Sequence, residues 1–169
     1  DGEPLYNLGW SLKMQGRYEE AYEQFFKACW NAAWQDAGYF NIAQIDLMQQ
    51  HPETALENIE RSLIRNWHNH KARALKAAIL RKLNHTTEAL AWIEDSLAID
   101  AFNMGCRYEK YLLTQQETDL DELKTLMRNW NHGYIEYSLD YAEAGMWEEA
   151  ISFLQLHEQE GGDIYPMVY

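Results

Sequence analysis

Three alanines, Ala21, Ala55 and Ala89, follow one another at intervals of 34 residues. Each is followed four residues later by a bulky apolar residue and seven residues later by a small one. These followers are Phe25, Ile59 and Ile93, and then Ala28, Ser62 and Ser96. Offsets of four and seven place side chains on one face of a helix. Each period therefore predicts an amphipathic helix whose small residues allow close packing against a neighbouring helix.

Residues that end helices recur with nearly the same period, as do small residues before them. The breaks are Gln15-Gly16-Arg17, Gln50-His51-Pro52 and Leu83-Asn84-His85, and the small residues are Gly9, Ala43 and Ala77. The composition also favours helices, because Val168 is the only valine and sheets rely on β-branched residues. Hydrophobic residues make up 47% of the chain, which is enough for a core. The sequence predicts an all-α protein built from helix pairs.

The pattern resembles the tetratricopeptide repeat family. Its first copy runs Leu5-Tyr6-Asn7-Leu8-Gly9, Leu12, Gln15-Gly16-Arg17-Tyr18-Glu19-Glu20-Ala21, Phe25 and Ala28. A later copy runs Tyr134, Tyr137-Ser138, Tyr141, Gly145-Met146-Trp147-Glu148-Glu149-Ala150 and Leu154. The resemblance implies antiparallel helix pairs stacked into a right-handed α-solenoid.

The period divides residues 1–169 into one array of about five helix pairs. We expect them near 2–35, 36–69, 70–103, 104–130 and 131–161, followed by the start of a further helix at 163–169. Ala89 and Ala150 are 61 residues apart, so the fourth pair is seven residues short. We expect its helices near Met104–Gln115 and Leu120–Asn129, with Thr118 or Asp119 as N-cap. Tyr111 stands where a small residue is usual, which predicts irregular packing and a bend.

The end of the chain and two internal stretches suggest a larger protein. Residues 164–169 read as the start of another repeat, which predicts that the chain is a piece of a longer one. Residues 26–34 with 39–46, and residues 71–83, resemble the array of a large bacterial family. In that family the repeats follow an uncharacterised β-rich N-terminal domain that resembles carbohydrate-active folds. This resemblance implies no established activity.

The sequence carries no motif for catalysis, for a cofactor or for a metal. It has no Gly-rich phosphate loop and no Cys/His ligand cluster. Cys29 and Cys106 are predicted to be buried thiols, and His68 and His70 to lie in a turn between repeats. The carboxylate pairs Glu19-Glu20 and Glu148-Glu149 complement helix dipoles. We therefore predict a protein that is not an enzyme, with no catalytic residues, no cofactor and no metal.

Function in a tetratricopeptide array comes from the concave groove that the first helix of each pair lines. The register predicts these partner-binding residues: Tyr6, Trp10, Lys13, Phe40, Asn41, Gln44, Lys71, Arg81, Lys82 and Tyr108. An aromatic N-terminal end and a basic middle suit an extended peptide with apolar anchors and an acidic residue. The alternative is that Trp10 and Phe40 pack against neighbouring helices. The carboxylate clamp known from chaperone-binding arrays is not expected, because only Asn41 and Lys71 match it.

The charge is uneven along the chain. The formal net charge is −13, yet residues 61–87 hold seven basic residues and no acid, which leaves −20 for the rest. Either acids on the flanking helices offset these cations, or the cations bind an anionic partner. The candidate acids are Glu53, Glu57, Glu60, Glu88, Glu94 and Asp95.

These features favour a non-catalytic scaffold that binds a protein or an extended peptide. The alternative is an accessory spacer or dimerisation module of a larger carbohydrate-related bacterial protein. Acidity argues against nucleic acid as a partner, and the lack of a long apolar run argues against a membrane. Self-association through exposed array ends is a further expectation. Without a signal segment, we expect a cytoplasmic location.

Overall fold

The computed structural model describes residues 1–159, with side chains described as far as residue 157. Ten α-helices and no strand occupy this part of the chain. They are α1 (Gly2–Met14), α2 (Tyr18–Ala28), α3 (Gln35–Met48), α4 (Pro52–Arg65), α5 (His70–Lys82), α6 (Thr86–Ile99), α7 (Met104–Thr114), α8 (Glu117–Met127), α9 (Asn131–Ala142) and α10 (Trp147–Gln159). A short 3-10 helix, Ala32–Trp34, precedes α3. The further helix predicted at 163–169 lies outside the described residues.

The helix crossings follow the predicted repeat register. Ala21, Ala55 and Ala89 are fully buried, as are the bulky residues four positions after each of them. At Gly9 a Cβ atom would lie 2.9 Å from the Phe25 ring, so α1 and α2 approach more closely than any larger residue would allow. The spacing of small residues therefore sets the distance between paired helices.

The turns inside the first three pairs share one left-handed residue. Gly16, Gln50 and Asn84 have φ values of 73°, 62° and 60°, and each follows the first helix of its pair. Two first helices start at an asparagine cap: Asn69 accepts a hydrogen bond from the amide of Ala72, and Asn103 accepts one from Cys106. Local sequence thus defines where these helices begin and end.

The predicted N-cap of α8 is wrong. Thr118 and Asp119 lie inside the first turn, because α8 begins at Glu117 with Gln116 in the cap position, directly after the left-handed Gln115 that follows α7. Asp119 instead accepts a hydrogen bond from the Thr114 hydroxyl at 2.6 Å and pairs with Lys110 at 2.8 Å. Its side chain ties the two short helices together.

The fifth helix pair turns back across the array. Tyr137 of α9 forms a hydrogen bond with the backbone of Met104 at the start of α7, and Asp140 pairs with Lys71 at the start of α5. Beyond α9, Gly145 lies against Met48 at the end of α3, so closely that a Cβ would be 3.0 Å from Met48 Cγ. A solenoid repeat ordinarily contacts only its neighbours. The side of α1, α3, α5 and α7 that carries the predicted groove residues is called the inner face, and the fifth pair covers its middle.

Candidate functional site

A polar network joins α1 to α3 at the N-terminal end of the inner face. The Lys13 ammonium donates hydrogen bonds to Asn41 Oδ1, at 3.1 Å, and to Gln44 Oε1. The Asn41 amide donates to the Tyr6 hydroxyl at 3.2 Å and to the Ala37 carbonyl at 3.0 Å. Four of the predicted groove residues are therefore brought together and held in fixed orientations.

The cation in this network is almost out of reach of water. Lys13 is 7% exposed, and this burial lowers the pKa of its ammonium to about 8, although the charge of Glu143 acts in the opposite direction. Glu143 follows α9, and Gln44 Nε2 approaches one of its carboxylate oxygens at 3.5 Å. The positive charge at this end of the inner face is consequently lost at a lower pH than the charge of an exposed lysine.

The aromatic residues at this end differ in exposure. Trp10 lies one turn before Lys13 on α1 and is 38% exposed, whereas Phe40 is half-buried against the core. Tyr6 is half-buried as well, with its ring centroid 4.8 Å from that of Trp34. Trp10 is therefore the aromatic side chain that this end presents to solvent. We call Tyr6, Trp10, Lys13, Phe40, Asn41 and Gln44 the N-terminal site.

The basic middle of the inner face is paired with the fifth helix pair. Lys71 Nζ lies 2.8 Å from Asp140, and Lys82 Nζ lies 2.5 Å from Glu149. Arg81 contacts Glu149 at 2.9 Å and Glu109 at 2.6 Å. Burial opposes ionisation of Glu149, but hydrogen bonds from Lys82 and Arg81 hold its pKa below the usual range. The three predicted contact cations thus bind the chain's own carboxylates.

A buried cluster lies beneath these ion pairs. The Tyr141 hydroxyl donates to the fully buried Glu109 at 2.7 Å. Tyr108 is 2% exposed and makes an edge-to-face contact with Phe153, with centroids 4.8 Å apart. Burial raises the pKa of Tyr108 to about 12 and raises that of Tyr141 as well. Tyr108, predicted to line an open groove, is a core residue in this closed arrangement.

Little open space remains between the fifth pair and the rest of the inner face. A cavity of about 30 Å³ lies between α3, α5, α7 and α9. Its walls include Phe40, Ala74, Ala78, Tyr137 and Met146. A space of this size holds about one water molecule. The centre of the predicted groove is therefore filled by the chain itself.

Comparisons with known proteins were made at the level of sequence and of structure. No family model matches the sequence, and no curated protein matches it. The structure is similar to that of MamA, with a TM-score of 0.66 and 11% sequence identity. The similarity covers 94% of this chain and 91% of the MamA chain. It is also similar to YrrB, described as a TPR protein with an unusual peptide-binding site. The TM-score is 0.64 at 16% sequence identity, and the similarity covers 99% of this chain and 89% of YrrB. The fold is a tetratricopeptide solenoid.

A third similar structure is that of the Hsp90 co-chaperone Cns1 from Saccharomyces cerevisiae. Its TM-score is 0.62 at 20% identity, over 83% of this chain and 47% of Cns1. At such identities the likeness shows the tetratricopeptide fold and nothing finer.

The charge-rich third tetratricopeptide pair is largely neutralised inside the molecule. Five of the seven cations in residues 61–87 lie within ion-pair distance of a carboxylate: Lys71, Arg73, Lys76, Arg81 and Lys82. Glu60 and Asp95, from the flanking helices, supply two of these pairs as expected. The other carboxylates come from α7, α9 and α10, and sequence reasoning missed them. Nothing in their local sequence marks Glu109, Asp140 or Glu149 as partners of residues so distant along the chain.

Arg73 has an additional role in joining two tetratricopeptide pairs. Its guanidinium lies 4.7 Å from the ring centroid of Trp67 and 4.0 Å from that of Trp92, and it pairs with Asp95. The Arg73 side chain is nearly inaccessible, so cation–π contacts and one ion pair compensate for its burial. Trp67 thus packs at the junction between α4 and α6, edge-to-face with Trp92.

The thiols of this tetratricopeptide array are buried and uncharged. Cys29 and Cys106 are free, and burial raises their pKa values to about 11 and about 12. Within residues 1–159, no group of three or more His, Cys, Asp or Glu residues is placed to hold a metal ion. No helix in the same part of the chain is long and apolar enough to cross a membrane.

Proposed function

We propose that the chain is a non-catalytic scaffold that binds a protein or an extended peptide, and that the N-terminal site makes the first contact. The observation that carries this proposal is the exposed Trp10 beside a rigid network of Lys13, Asn41 and Gln44. Large aromatic side chains flanked by fixed polar groups are typical of residues that dominate binding energy. The similar proteins YrrB, described as having an unusual peptide-binding site, and Cns1, an Hsp90 co-chaperone, support a binding role for this chain.

The remaining predicted contacts enter this proposal as a second step. Lys71, Arg81 and Lys82 are paired with carboxylates of the fifth helix pair, and Tyr108 is buried beneath it, so a partner competes with Asp140 and Glu149 for these cations. A partner with acidic residues replaces those two carboxylates and compensates the exposed cations. The proposed ligand is therefore an extended segment with an aromatic or apolar anchor for Trp10 and with acidic residues further along.

The test is a selection of displayed random peptides on the immobilised protein, followed by calorimetric titration of the best synthetic peptide. We expect Trp10→Ala to weaken binding about tenfold or more, the usual effect of truncating an anchoring aromatic. Trp30→Ala is the matched control, because Trp30 is 78% exposed and follows α2 rather than lying on the inner face. Circular dichroism verifies that both variants fold.

Two outcomes would contradict the proposal. If no peptide is enriched over the bare matrix, the chain does not bind peptides in this manner. If a selected peptide binds Trp10→Ala and Trp30→Ala equally well, binding occurs elsewhere and the N-terminal site is incorrect.

We also propose, as the second candidate, a role as a dimerisation module within a larger bacterial protein. The observation that favours it is the match in charge between the inner face and the fifth pair, which a second copy of the chain reproduces. In this second proposal, the larger protein carries the β-rich N-terminal domain of the bacterial family whose repeat array this sequence resembles.

A further inference from the structure

The fifth pair occupies the inner face as a bound ligand would. Residues 131–157 form a helical hairpin, here called the α9–α10 hairpin, whose contacts reach back as far as Gln44. Its Asp140 and Glu149 face Lys71, Arg81 and Lys82, and its Tyr141 reaches Glu109. The inner face is therefore complementary in charge and in shape to one identified segment, which belongs to this chain.

Only three residues, 128–130, connect this hairpin to the rest of the array. α8 ends at Met127 and α9 begins at Asn131. Arg128 and Asn129 both have positive φ values, 51° and 56°, and neither is glycine. One left-handed residue at a helix end is common, but two such residues in succession are strained. An extended linker would relieve this strain, and short strained linkers favour the exchange of identical elements between copies.

We propose that the inner face is a dimerisation surface and that its occupant is the α9–α10 hairpin of a second copy. In this reciprocal dimer each hairpin leaves its own inner face and occupies the partner's, with every ion pair of the closed monomer reproduced between chains. Residues 128–130 change from a left-handed turn to an extended linker. This inference rests on the second candidate function, dimerisation, and does not depend on peptide binding at the N-terminal site.

The first test uses two variants with complementary charges. In the face variant, Lys71→Glu and Lys82→Glu set acids against the acids of its own hairpin. In the hairpin variant, Asp140→Lys and Glu149→Lys set lysines against the cations of its own inner face. Opposite charges meet only in the mixture. There the acidic hairpin of the face variant meets the basic face of the hairpin variant, and the lysine-bearing hairpin of the hairpin variant meets the acidic face of the face variant.

We expect a one-to-one heterodimer of about twice the 19.9 kDa chain mass in the mixture, measured by light scattering after size exclusion. Each variant alone should remain monomeric at the same concentration, with its helix content verified by circular dichroism. A mixture that elutes as two monomers overturns the proposal.

The second test changes the linker and leaves both surfaces intact. Proline fixes φ near −65° and cannot adopt the conformation of Asn129, so Asn129→Pro disfavours the closed monomer. Asn129→Gly removes the strain and favours it. We expect a dimer dissociation constant at least tenfold lower for the proline variant than for the glycine variant. Equal dissociation constants would mean that any self-association occurs through the array ends, and they would overturn the proposed exchange. A proline variant that stays monomeric would overturn it as well.

Discussion

Each helix crossing in this solenoid depends on an alanine that has no room for a larger side chain. Ala21, Ala55 and Ala89 are fully buried between paired helices. Their positions could be predicted from sequence, because a crossing needs a small residue and the crossing recurs with every helix pair.

Ala55→Asp should unfold most of the array at room temperature. The substitution places a carboxylate without a partner at a packed crossing, and such changes cost more than about 4 kcal/mol. Urea unfolding monitored by circular dichroism measures the loss. Ala91→Asp is the control, since Ala91 lies on the exposed side of α6. Equal stability of the two variants would contradict the repeat register.

The burial of Lys13 makes the stability of the folded protein depend on pH. Burial lowers its pKa to about 8 in the folded protein, so the unfolded chain binds more protons above that pH. Stability therefore rises with pH in this window. Relative to Lys13→Met, the wild type should gain about 2 kcal/mol between about pH 7 and about pH 9.5.

Urea unfolding of both proteins across this range measures the gain, and tyrosine ionisation cancels in the difference between them. A difference that does not change with pH would contradict the burial of the charge. This effect could not be predicted from sequence, because Asn41 and Gln44 lie about 30 residues from Lys13. Helical spacing placed all three on one face but did not indicate that they form a closed network.

At the scale of elements, α5 holds the fifth helix pair against the array. It carries Lys71 at its start and Arg81 near its end, and these residues contact α9 and α10. Sequence spacing predicted that α5 lines the inner face, and the 61 residues between Ala89 and Ala150 predicted the shortened fourth pair. Neither observation specified the direction in which the fifth pair leaves, because that depends on the left-handed residues after α8.

Arg81 should be essential to the packing of α7 because Glu109 beneath it is fully buried. Arg81→Met leaves this carboxylate without its ion pair, and breaking a buried pair costs about 3–5 kcal/mol. The double variant Arg81→Met/Glu109→Gln should recover more than half of the loss, since glutamine is neutral and still accepts the Tyr141 hydrogen bond. Urea unfolding measures all three proteins.

Arg17→Met serves as the control for that series. Arg17 pairs with Glu20 at 2.6 Å on the surface, where half of each side chain is exposed. Exposed pairs contribute little to stability, because water and salt screen their charges. If Arg81→Met is as mild as Arg17→Met, the buried pair does not stabilise the junction of α5, α7 and α10.

At the scale of the whole molecule, the inner face and the fifth pair form a closed body. Two of the contacts that close it, Arg81 with Glu149 and Gln44 with Glu143, join residues 68 and 99 positions apart. Such contacts follow from the path of the array after its shortened pair, which no local pattern encodes. The basic stretch at 61–87 was visible in the sequence, but its partners on α9 and α10 were not.

Reversing the charges on the fifth pair should open this body without unfolding its helices. In Asp140→Lys/Glu149→Lys, two lysines face Lys71, Arg81 and Lys82, and the short covalent link at residues 128–130 lets the pair swing away. In dilute solution the radius of gyration from small-angle scattering should rise while the far-ultraviolet circular dichroism is retained. Glu94→Lys/Asp121→Lys changes the net charge equally at exposed positions and should leave the radius unchanged. An equal radius for both double variants would show that apolar contacts around Tyr108 and Phe153 close the molecule without help from the ion pairs.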